Sequence, residues 1–164
     1  MDLNAETLEQ FMQNQGIMGR IINVSVPTLT VETAAEAVGT TPEKIVKSLL
    51  FLVDSRPTLV VSSGTSRVDR KKLAKYFDIG RERVKLADPE TVRALTGYEV
   101  GAVPPFGHRQ TLDVILEESI FKQSSVYAGG GSTQALLEIT PKEILRVTKA
   151  EILNLHVEPL TDQD

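Results

Sequence analysis

The sequence contains no cysteine and only two histidines, His108 and His156. Without cysteine the chain can form neither a disulfide nor a thiolate zinc site, and it has no cysteine nucleophile. Two histidines that lie far apart in the sequence argue against a histidine-rich metal site. We therefore expect a protein that binds no metal ion and needs no cofactor.

Long apolar segments and a secretory leader are also missing. No apolar run approaches the roughly 20 residues that a membrane-spanning helix requires. The first 15 residues include Asp2, Glu6 and Glu9 and no basic stretch, unlike a signal peptide. With 164 residues, of which 41% are hydrophobic and 24% charged, the composition is typical of one globular domain. The sequence thus predicts a single domain over residues 1–164, a cytoplasmic location and no contact with a membrane.

Positive charge is concentrated in one segment, although the net charge of the chain is −4. Residues 67–85 contain eight basic and three acidic side chains. On an acidic protein such a cluster indicates a docking place for a polyanion, but a solvated helix face would show the same pattern. Spacings of three and four residues place four of these side chains near one face of the helix expected from Asp69. They are Arg67, Arg70, Lys71 and Lys75.

Strands and helices alternate irregularly along the chain. Residues 45–54 form the most apolar segment and, with residues 58–63, predict a hairpin that turns at residues 55–57. Cap residues, prolines and glycines delimit the predicted helices, which cover residues 3–15, 33–38, 69–77, 88–96 and 140–147. Further short strands are predicted over residues 20–26, 111–116, 125–127 and 136–139. This order favours an α+β fold with a mixed sheet over a regular doubly wound fold.

Lys47 is the first candidate functional residue, because it lies inside the most apolar segment of the chain. A lysine in such a segment either extends its stem to solvent or points into a cavity where its ammonium group has a partner. In the second case a rigid strand holds a cation that can bind a phosphate or stabilise negative charge on an oxygen atom.

Two glycine-containing loops are the other candidates. Gly101 precedes a stiff Pro-Pro-Phe-Gly-His turn, whose backbone N–H groups could donate to a substrate oxygen or could simply connect two elements. Residues 129–132 read Gly-Gly-Gly-Ser, which forms either an anion-binding backbone nest or a hairpin tip. The sequence has no Gly-x-Ser-x-Gly elbow. The residues alone therefore indicate a binding site made of a lysine and glycine loops.

The order of these segments resembles the YbaK-like family, which includes free-standing aminoacyl-tRNA deacylases and the editing domain of bacterial prolyl-tRNA synthetases. The resemblance spans roughly residues 30–147. Its matching segments are residues 33–39, 45–49, 60–64, 69–73, 95–107, 127–132 and 139–141. It implies an α+β domain with a mixed, mostly antiparallel sheet or partly open barrel and surrounding helices.

The resemblance also implies a metal-free hydrolase and roles for particular residues. Lys47 corresponds to the critical lysine of the family, and Gly101 to the glycine whose backbone helps to bind the substrate carbonyl. Independently of the resemblance, the phosphates of a tRNA need cationic partners, and we expect Arg67, Arg70, Lys71 and Lys75 to supply them. The residues expected to border the aminoacyl pocket are Gly129, Gly130, Gly131, Ser132, Pro104 and Phe106.

The function implied is trans-editing, in which the ester bond of a mischarged tRNA is hydrolysed. Cys-tRNA(Pro) and Ala-tRNA(Pro) are the candidate substrates, and prolyl-tRNA synthetase is a candidate partner besides the aminoacylated tRNA. Members that act on Cys-tRNA(Pro) carry an aspartate in a Pro-x-Asp-Leu turn, where this chain has Glu143. Two other classes stay open: a non-catalytic tRNA-binding or synthetase-associated module, and a hydrolase or binder of a small acylated or phosphorylated molecule.

Overall fold

The computed structural model describes residues 2–158 and shows an α+β fold. In this part of the chain the α-helices are α1 (Ala5–Gln15), α2 (Val31–Val38), α3 (Arg70–Phe77), α4 (Pro89–Thr96) and α5 (Pro141–Thr148). The strands are β1 (Arg20–Asn23), β2 (Val46–Val53), β3 (Arg56–Ser63), β4 (Val84–Leu86), β5 (Asp113–Glu117), β6 (Val126–Gly129), β7 (Ala135–Ile139) and β8 (Glu151–Leu153). Short 3₁₀ turns cover Pro42–Lys44, Arg81–Arg83 and Glu118–Lys122.

Most helix boundaries lie at the cap residues that the sequence predicts. Helix α1 begins two residues later and α2 two residues earlier than predicted, because Asn4 and Thr30 are their N-caps. Helices α1 and α2 end at Gly16 and Gly39, both in the left-handed conformation that glycine adopts without a steric penalty. Helices α4 and α5 begin after Asp88 and Thr140, whose side chains accept a backbone N–H from the first turn. A proline follows each of these two caps at the first helical position, where no hydrogen bond is lost.

Strands β2 and β3 form the predicted hairpin, but its turn lies earlier than residues 55–57. Asp54 and Ser55 both have positive φ values, of 49° and 68°, as a tight two-residue turn between antiparallel strands requires. Arg56 and Pro57 already belong to β3, where they pair with Val53 and Leu52. The strand register that follows places Lys47 directly opposite Ser62.

The strands form two sheets. The first has the order β1-β7-β6 and is antiparallel throughout. The second has the order β4-β2-β3-β5-β8, with antiparallel pairs around β2 and parallel pairs from β3 to β5 and from β5 to β8. An isolated bridge between Ile45 and Tyr127 joins the sheets where β2 begins. Over residues 2–158 the sheets stay open and do not close into a barrel.

The hydrophobic core lies on both faces of the second sheet. Val46 and Leu50 face the layer between the sheets, where helices α1 and α5 also contribute side chains. Phe51 and Val53 face the opposite side, against Leu73 and its neighbours in α3. Because side chains alternate along a strand, Lys47 lies on the α3 face of β2 and Ser48 on the face between the sheets. None of the helices within residues 2–158 is long and apolar enough to cross a membrane.

Candidate active site

A pocket with a volume of about 210 Å³ lies at the first half of β2, beside the junction of the two sheets. Its walls come from residues 45–49, from α2 and the loop of residues 28–30 before it, and from the turn of residues 100–103. Gly129 and Leu136 close it on the side of the first sheet. The pocket therefore collects segments that are far apart in the sequence and lines them mainly with aliphatic side chains.

Lys47 provides the positive charge of the pocket. Its side chain is half-buried, and no residue of the described chain forms a hydrogen bond or an ion pair with its ammonium group. Burial lowers the pKa of Lys47, and the positive charge of nearby Arg67 lowers it further. A half-buried cation without an anion inside its own chain is suited to receive one from a ligand.

Gly101 lies in a four-residue turn at the mouth of the pocket. The amide of Ala102 donates to the carbonyl of Glu99 over 3.0 Å, and Gly101 has a φ of 89°, as the third position of a type II turn requires. A Cβ atom on Gly101 would meet nothing within 4 Å. Among residues 2–158 no acceptor is bonded to its N–H group. The turn thus needs glycine for its conformation and also leaves an amide available to a ligand.

The glycine run of residues 129–132 packs against this turn. A Cβ atom on Gly129 would collide with the carbonyl oxygen of Val103. The amide of Gly131 donates to the carbonyl of Ala102 over 2.9 Å, and Gly131 itself is buried. Gly129 lines the pocket, Gly130 packs against the backbone of Ala135, and Gly131 holds the Gly101 turn through its bond to Ala102.

The other predicted pocket residues lie outside the lining. The Ser132 hydroxyl accepts the amide of Gln134 within its own turn. Pro104 is buried and offers its carbonyl to the His108 ring over 2.7 Å. The Phe106 ring stacks on Phe11 with 6.0 Å between the ring centroids, and it lines a second pocket elsewhere. The structure thus brings Lys47, Gly101 and Gly129 together in one pocket lining, which does not include Gly130, Gly131, Ser132, Pro104 and Phe106.

The predicted basic face is present and exposed. Arg67 precedes α3, and its charge acts on Lys47. The others are on α3, and none of the four forms an ion pair within residues 2–158: Arg67, Arg70, Lys71 and Lys75. Lys72 differs, since its ammonium group donates to the Asn154 side chain, to the carbonyl of His156 and to the carboxylate of Glu158. It therefore holds the C-terminal segment of residues 154–158 and contributes no free charge.

Leu29, Val100 and Ser48 are among the pocket residues that sequence reasoning missed. Leu29 and Val100 are largely exposed aliphatic side chains at its mouth, and isolated aliphatic residues in loops form no pattern. Ser48 also lines the pocket, and its hydroxyl is buried without a partner in the described chain. A serine within a strand gives no indication of whether its hydroxyl is paired.

A second group of polar side chains lies outside the pocket. Glu117, Glu118 and His156 have oxygen and nitrogen atoms within 4.8 Å of one another. The fully buried carboxylate of Glu117 already accepts the amides of Ser119 and Leu155 and lies 3.2 Å from His156 Nδ1. Because its oxygens are occupied by donors from its own chain, this group ties β5 to the C-terminal segment.

The fold and the pocket define the class of protein. A model of the aminoacyl-tRNA editing domain matches residues 25–147, which include Lys47, Gly101 and Gly129. The chain therefore belongs to the aminoacyl-tRNA editing domain family, and the resemblance inferred from the sequence is confirmed.

Individual relatives agree with this assignment. The uncharacterised protein YwhH of Bacillus subtilis (strain 168) is 34% identical over 116 residues, which make up 70% of this chain and 72% of YwhH. The proline–tRNA ligase of Geobacillus sp. (strain WCH70) is 34% identical over 91 residues, which make up 56% of this chain and only 16% of the ligase. A solved structure of a candidate trans-editing enzyme for prolyl tRNA synthetase has a TM-score of 0.87 and 34% identity, covering 94% of this chain and 97% of that one.

Proposed function

We propose that this protein is a trans-editing aminoacyl-tRNA deacylase, which hydrolyses the ester bond between a wrongly attached amino acid and its tRNA. Membership of the editing family and the similarity to a candidate trans-editing enzyme support this proposal. The observation that carries it is the pocket lined by both Lys47 and Gly101, since the half-buried Lys47 ammonium group and the Gly101 amide have no partner within residues 2–158.

These groups suit an acyl-transfer reaction. The aliphatic pocket of about 210 Å³ would hold a small aminoacyl group. The Gly101 amide would donate to the ester carbonyl as negative charge develops on its oxygen, and Lys47 would polarise the same carbonyl or hold the 3′-terminal phosphate. Removing one such stabilising group typically costs about 10²–10³ in rate.

The attacking group would come from outside the protein. Within the described chain, the lining of the pocket contains no histidine and no carboxylate that could activate a side-chain nucleophile. The hydroxyl of Thr28 is engaged with the carbonyl of Thr133, and that of Thr30 with Thr33. The Ser48 hydroxyl has no partner in the described chain, but it lies on the opposite face of β2 from Lys47, which is therefore not placed to activate it. Water or a group of the substrate itself would therefore attack the ester, with the protein supplying position and electrostatic stabilisation.

Alanine and cysteine on tRNA(Pro) are the first substrates to test. Glu143, which stands where the cysteine-specific members have aspartate, is buried away from the pocket lining and binds Arg146 and the amide of Met18. Hydrogen bonds from Arg146, and then from Met18, lower the pKa of Glu143 to about 2. It serves as a structural anion that ties α5 to residue 18, so cysteine specificity would need another determinant.

A panel of mischarged tRNAs tests the proposal directly. We expect the protein to hydrolyse at least one aminoacyl-tRNA(Pro) faster than the spontaneous rate, and to do so equally well after treatment with a metal chelator. Lys47→Met should remove this activity, whereas Lys85→Met, in the exposed part of β4, should not.

Other outcomes would favour the alternative classes. Binding of tRNA without turnover of any aminoacyl-tRNA would indicate a non-catalytic module. Hydrolysis of a small acyl ester that tRNA does not inhibit would indicate a small-molecule hydrolase. Addition of prolyl-tRNA synthetase to the assay tests that enzyme as a partner, since complex formation would change the KM for the tRNA.

A further inference from the structure

Two exposed aliphatic side chains, Leu29 and Val100, lie at the mouth of the Lys47 pocket. They are 68% and 54% exposed, and both line the pocket. A single exposed aliphatic residue needs no explanation, because most protein surfaces contain some. Here two of them come from separate loops and meet at the entrance to one pocket.

Hydrogen bonds of neighbouring residues hold both loops in place. Leu29 lies between Thr28, whose amide donates to the carbonyl of Thr133 over 2.7 Å, and Thr30, which caps α2. Val100 is the second residue of the turn that Ala102 and Glu99 close. Their exposure is therefore a fixed feature of the fold, and binding a ligand there would cost little ordering of the loops.

The remaining groups of the pocket indicate the kind of ligand. No carboxylate of the described residues pairs with Lys47, and Arg67 adds a second positive charge close to it. Gly101, next to Val100, has no side chain to obstruct the entrance. A ligand that complements all of these groups carries an anion and, a short distance away, a flat apolar surface. A nucleotide has both, in its phosphate and its base.

We propose that Leu29 and Val100 form a platform for the base of the 3′-terminal nucleoside of the tRNA, with its phosphate at Lys47 and Arg67. This assignment rests on the proposed function, because the terminal nucleoside carries the aminoacyl ester. The platform divides the pocket into a mouth for the base and an interior for the amino acid. Aliphatic contacts to the face of a base provide affinity without reading its sequence.

Two small probes test the platform without any catalysis. AMP carries phosphate, ribose and base, and ribose 5-phosphate lacks the base. We expect the protein to bind AMP about 5- to 10-fold more tightly than ribose 5-phosphate in an NMR titration, the effect of covering two aliphatic side chains. The double variant Leu29→Ser/Val100→Ser should lose this difference and keep its affinity for ribose 5-phosphate.

A matched control replaces exposed aliphatic residues outside the pocket. Met18→Ser/Ile152→Ser removes side chains that are 75% and 44% exposed, and it should retain the preference for AMP. Equal binding of the two probes by the parent protein would overturn the proposal. A preference for AMP that survives in the Leu29/Val100 variant would also overturn it.

A second experiment separates the end of an RNA from a free nucleotide. Uncharged tRNA should displace AMP from the parent protein, and the Leu29/Val100 variant should show a KM for aminoacyl-tRNA raised about 5- to 10-fold with nearly unchanged kcat. AMP that tRNA cannot displace would assign the platform to a free nucleotide and contradict the proposal. If the parent hydrolyses no aminoacyl-tRNA, the proposed function fails, while the displacement experiment still decides the platform.

Discussion

Lys47 and Glu117 are both charged side chains shielded from solvent, but they differ in whether the surrounding chain provides hydrogen-bond partners. The carboxylate of Glu117 accepts backbone and side-chain donors on both oxygens. The ammonium group of Lys47 has no such partner in the described residues and meets only the positive charge of Arg67. The first arrangement stabilises the fold, and the second costs folding free energy unless a ligand supplies the anion.

The pKa directions express the same contrast. Burial raises the pKa of Glu117, but hydrogen bonds from Ser119, Leu155 and His156 outweigh it and hold the pKa below the ordinary value. For Lys47, burial and Arg67 act in the same direction and lower the pKa. The charged form of Glu117 is thus favoured in the folded protein, and the charged form of Lys47 is disfavoured. A buried charge whose hydrogen-bonding groups all have partners has a structural role, whereas a buried charge without partners is a candidate functional group.

The largest effect should follow from removing the unpaired charge. We expect Lys47→Met to lower kcat/KM for a mischarged tRNA about 100- to 1000-fold, because one electrostatic group is lost from the site. Its free energy of unfolding at pH 7 should stay equal or rise, since the variant no longer buries a disfavoured charge. A urea titration beside the deacylation assay checks both values. A strongly destabilised Lys47→Met would show that the lysine is structural.

Neutralising the hydrogen-bonded carboxylate of Glu117 should lower the stability of the protein rather than its activity. Glu117→Gln turns two acceptor oxygens into one and leaves buried donors unpaired, so we expect a loss of about 3 kcal/mol in unfolding free energy. Activity of the folded fraction should be nearly unchanged. Glu118→Gln, at the exposed neighbouring residue, is the control and should change neither value.

The pH dependence of stability sharpens this second prediction. Because the pKa of Glu117 is lowered on folding, its contribution is fully present above the ordinary carboxyl value of 4.5 and is lost as the pH falls through the lowered value. The parent and Glu117→Gln should therefore converge in stability at acidic pH. Parallel stability curves down to the acid-unfolding transition would contradict this account.

A third pair of variants distinguishes the effect of the positive φ of Gly101 from the effect of its place in the pocket lining. Gly101→Ala and Gly16→Ala both place a Cβ atom on a residue with positive φ and with nothing within 4 Å. Each should cost about 1 kcal/mol of stability. Only Gly101→Ala should also reduce deacylation, since its methyl group enters the mouth of the pocket. Equal activity of the two variants would show that Gly101 is needed only for the conformation of its turn.

The basic face should produce a smaller effect, confined to binding. Replacing Arg70, Lys71 and Lys75 together by glutamine should raise the KM for aminoacyl-tRNA several-fold and flatten its salt dependence, because phosphate contacts release counterions. Hydrolysis of a minimal aminoacyl ester should be unaffected. The control makes the same change at Arg81, Arg83 and Lys85, which lie before and within β4. Similar effects of both triple variants would indicate a general influence of charge.

The smallest effect concerns the pair of cations. Arg67→Gln removes a positive neighbour, so the pKa of Lys47 should rise towards its ordinary value. Lys47 would then keep its charge, and the protein its affinity for phosphate, to a higher pH than in the parent. An NMR titration of the Lys47 side chain measures the shift directly. An unchanged pKa of Lys47 in Arg67→Gln would show that Arg67 does not act on the pocket.

The sequence predicted most of the fold because most boundaries of helices and strands depend on residues close to them in the sequence. Glycine and proline positions and capping side chains marked the five helices of the described chain, and β-branched residues marked six of its strands. Strands β4 and β8 were not predicted, since each has three residues with mostly exposed side chains and no alternating pattern. Parallel pairing of β5 with β3 and β8 depends on contacts between distant segments, which local signals do not contain.

The site was predicted less completely. Lys47 stood out because a charge interrupts an apolar strand, and Gly101 because its turn has an unusual composition. The neighbours of Lys47 in β2 and of Gly101 in its turn also line the pocket, but Pro104 and Phe106 do not. Both of these residues are buried elsewhere, and Phe106 stacks on Phe11. Leu29 and Val100 reach the pocket only through tertiary structure. Whether a polar group is paired also depends on distant segments.

The C-terminal segment of residues 154–158 links the far end of the described chain to the basic residues before and within α3. It binds back over residues 67–72 through the Lys72 ammonium group and through backbone bonds from Asp69 to Leu155 and from Val157 to Arg67. A fusion partner that pulls on this segment, or a chain shortened before Asn154, would therefore displace Arg67, some 90 residues away in sequence. The placement of an affinity tag after this segment is thus a functional decision for this protein.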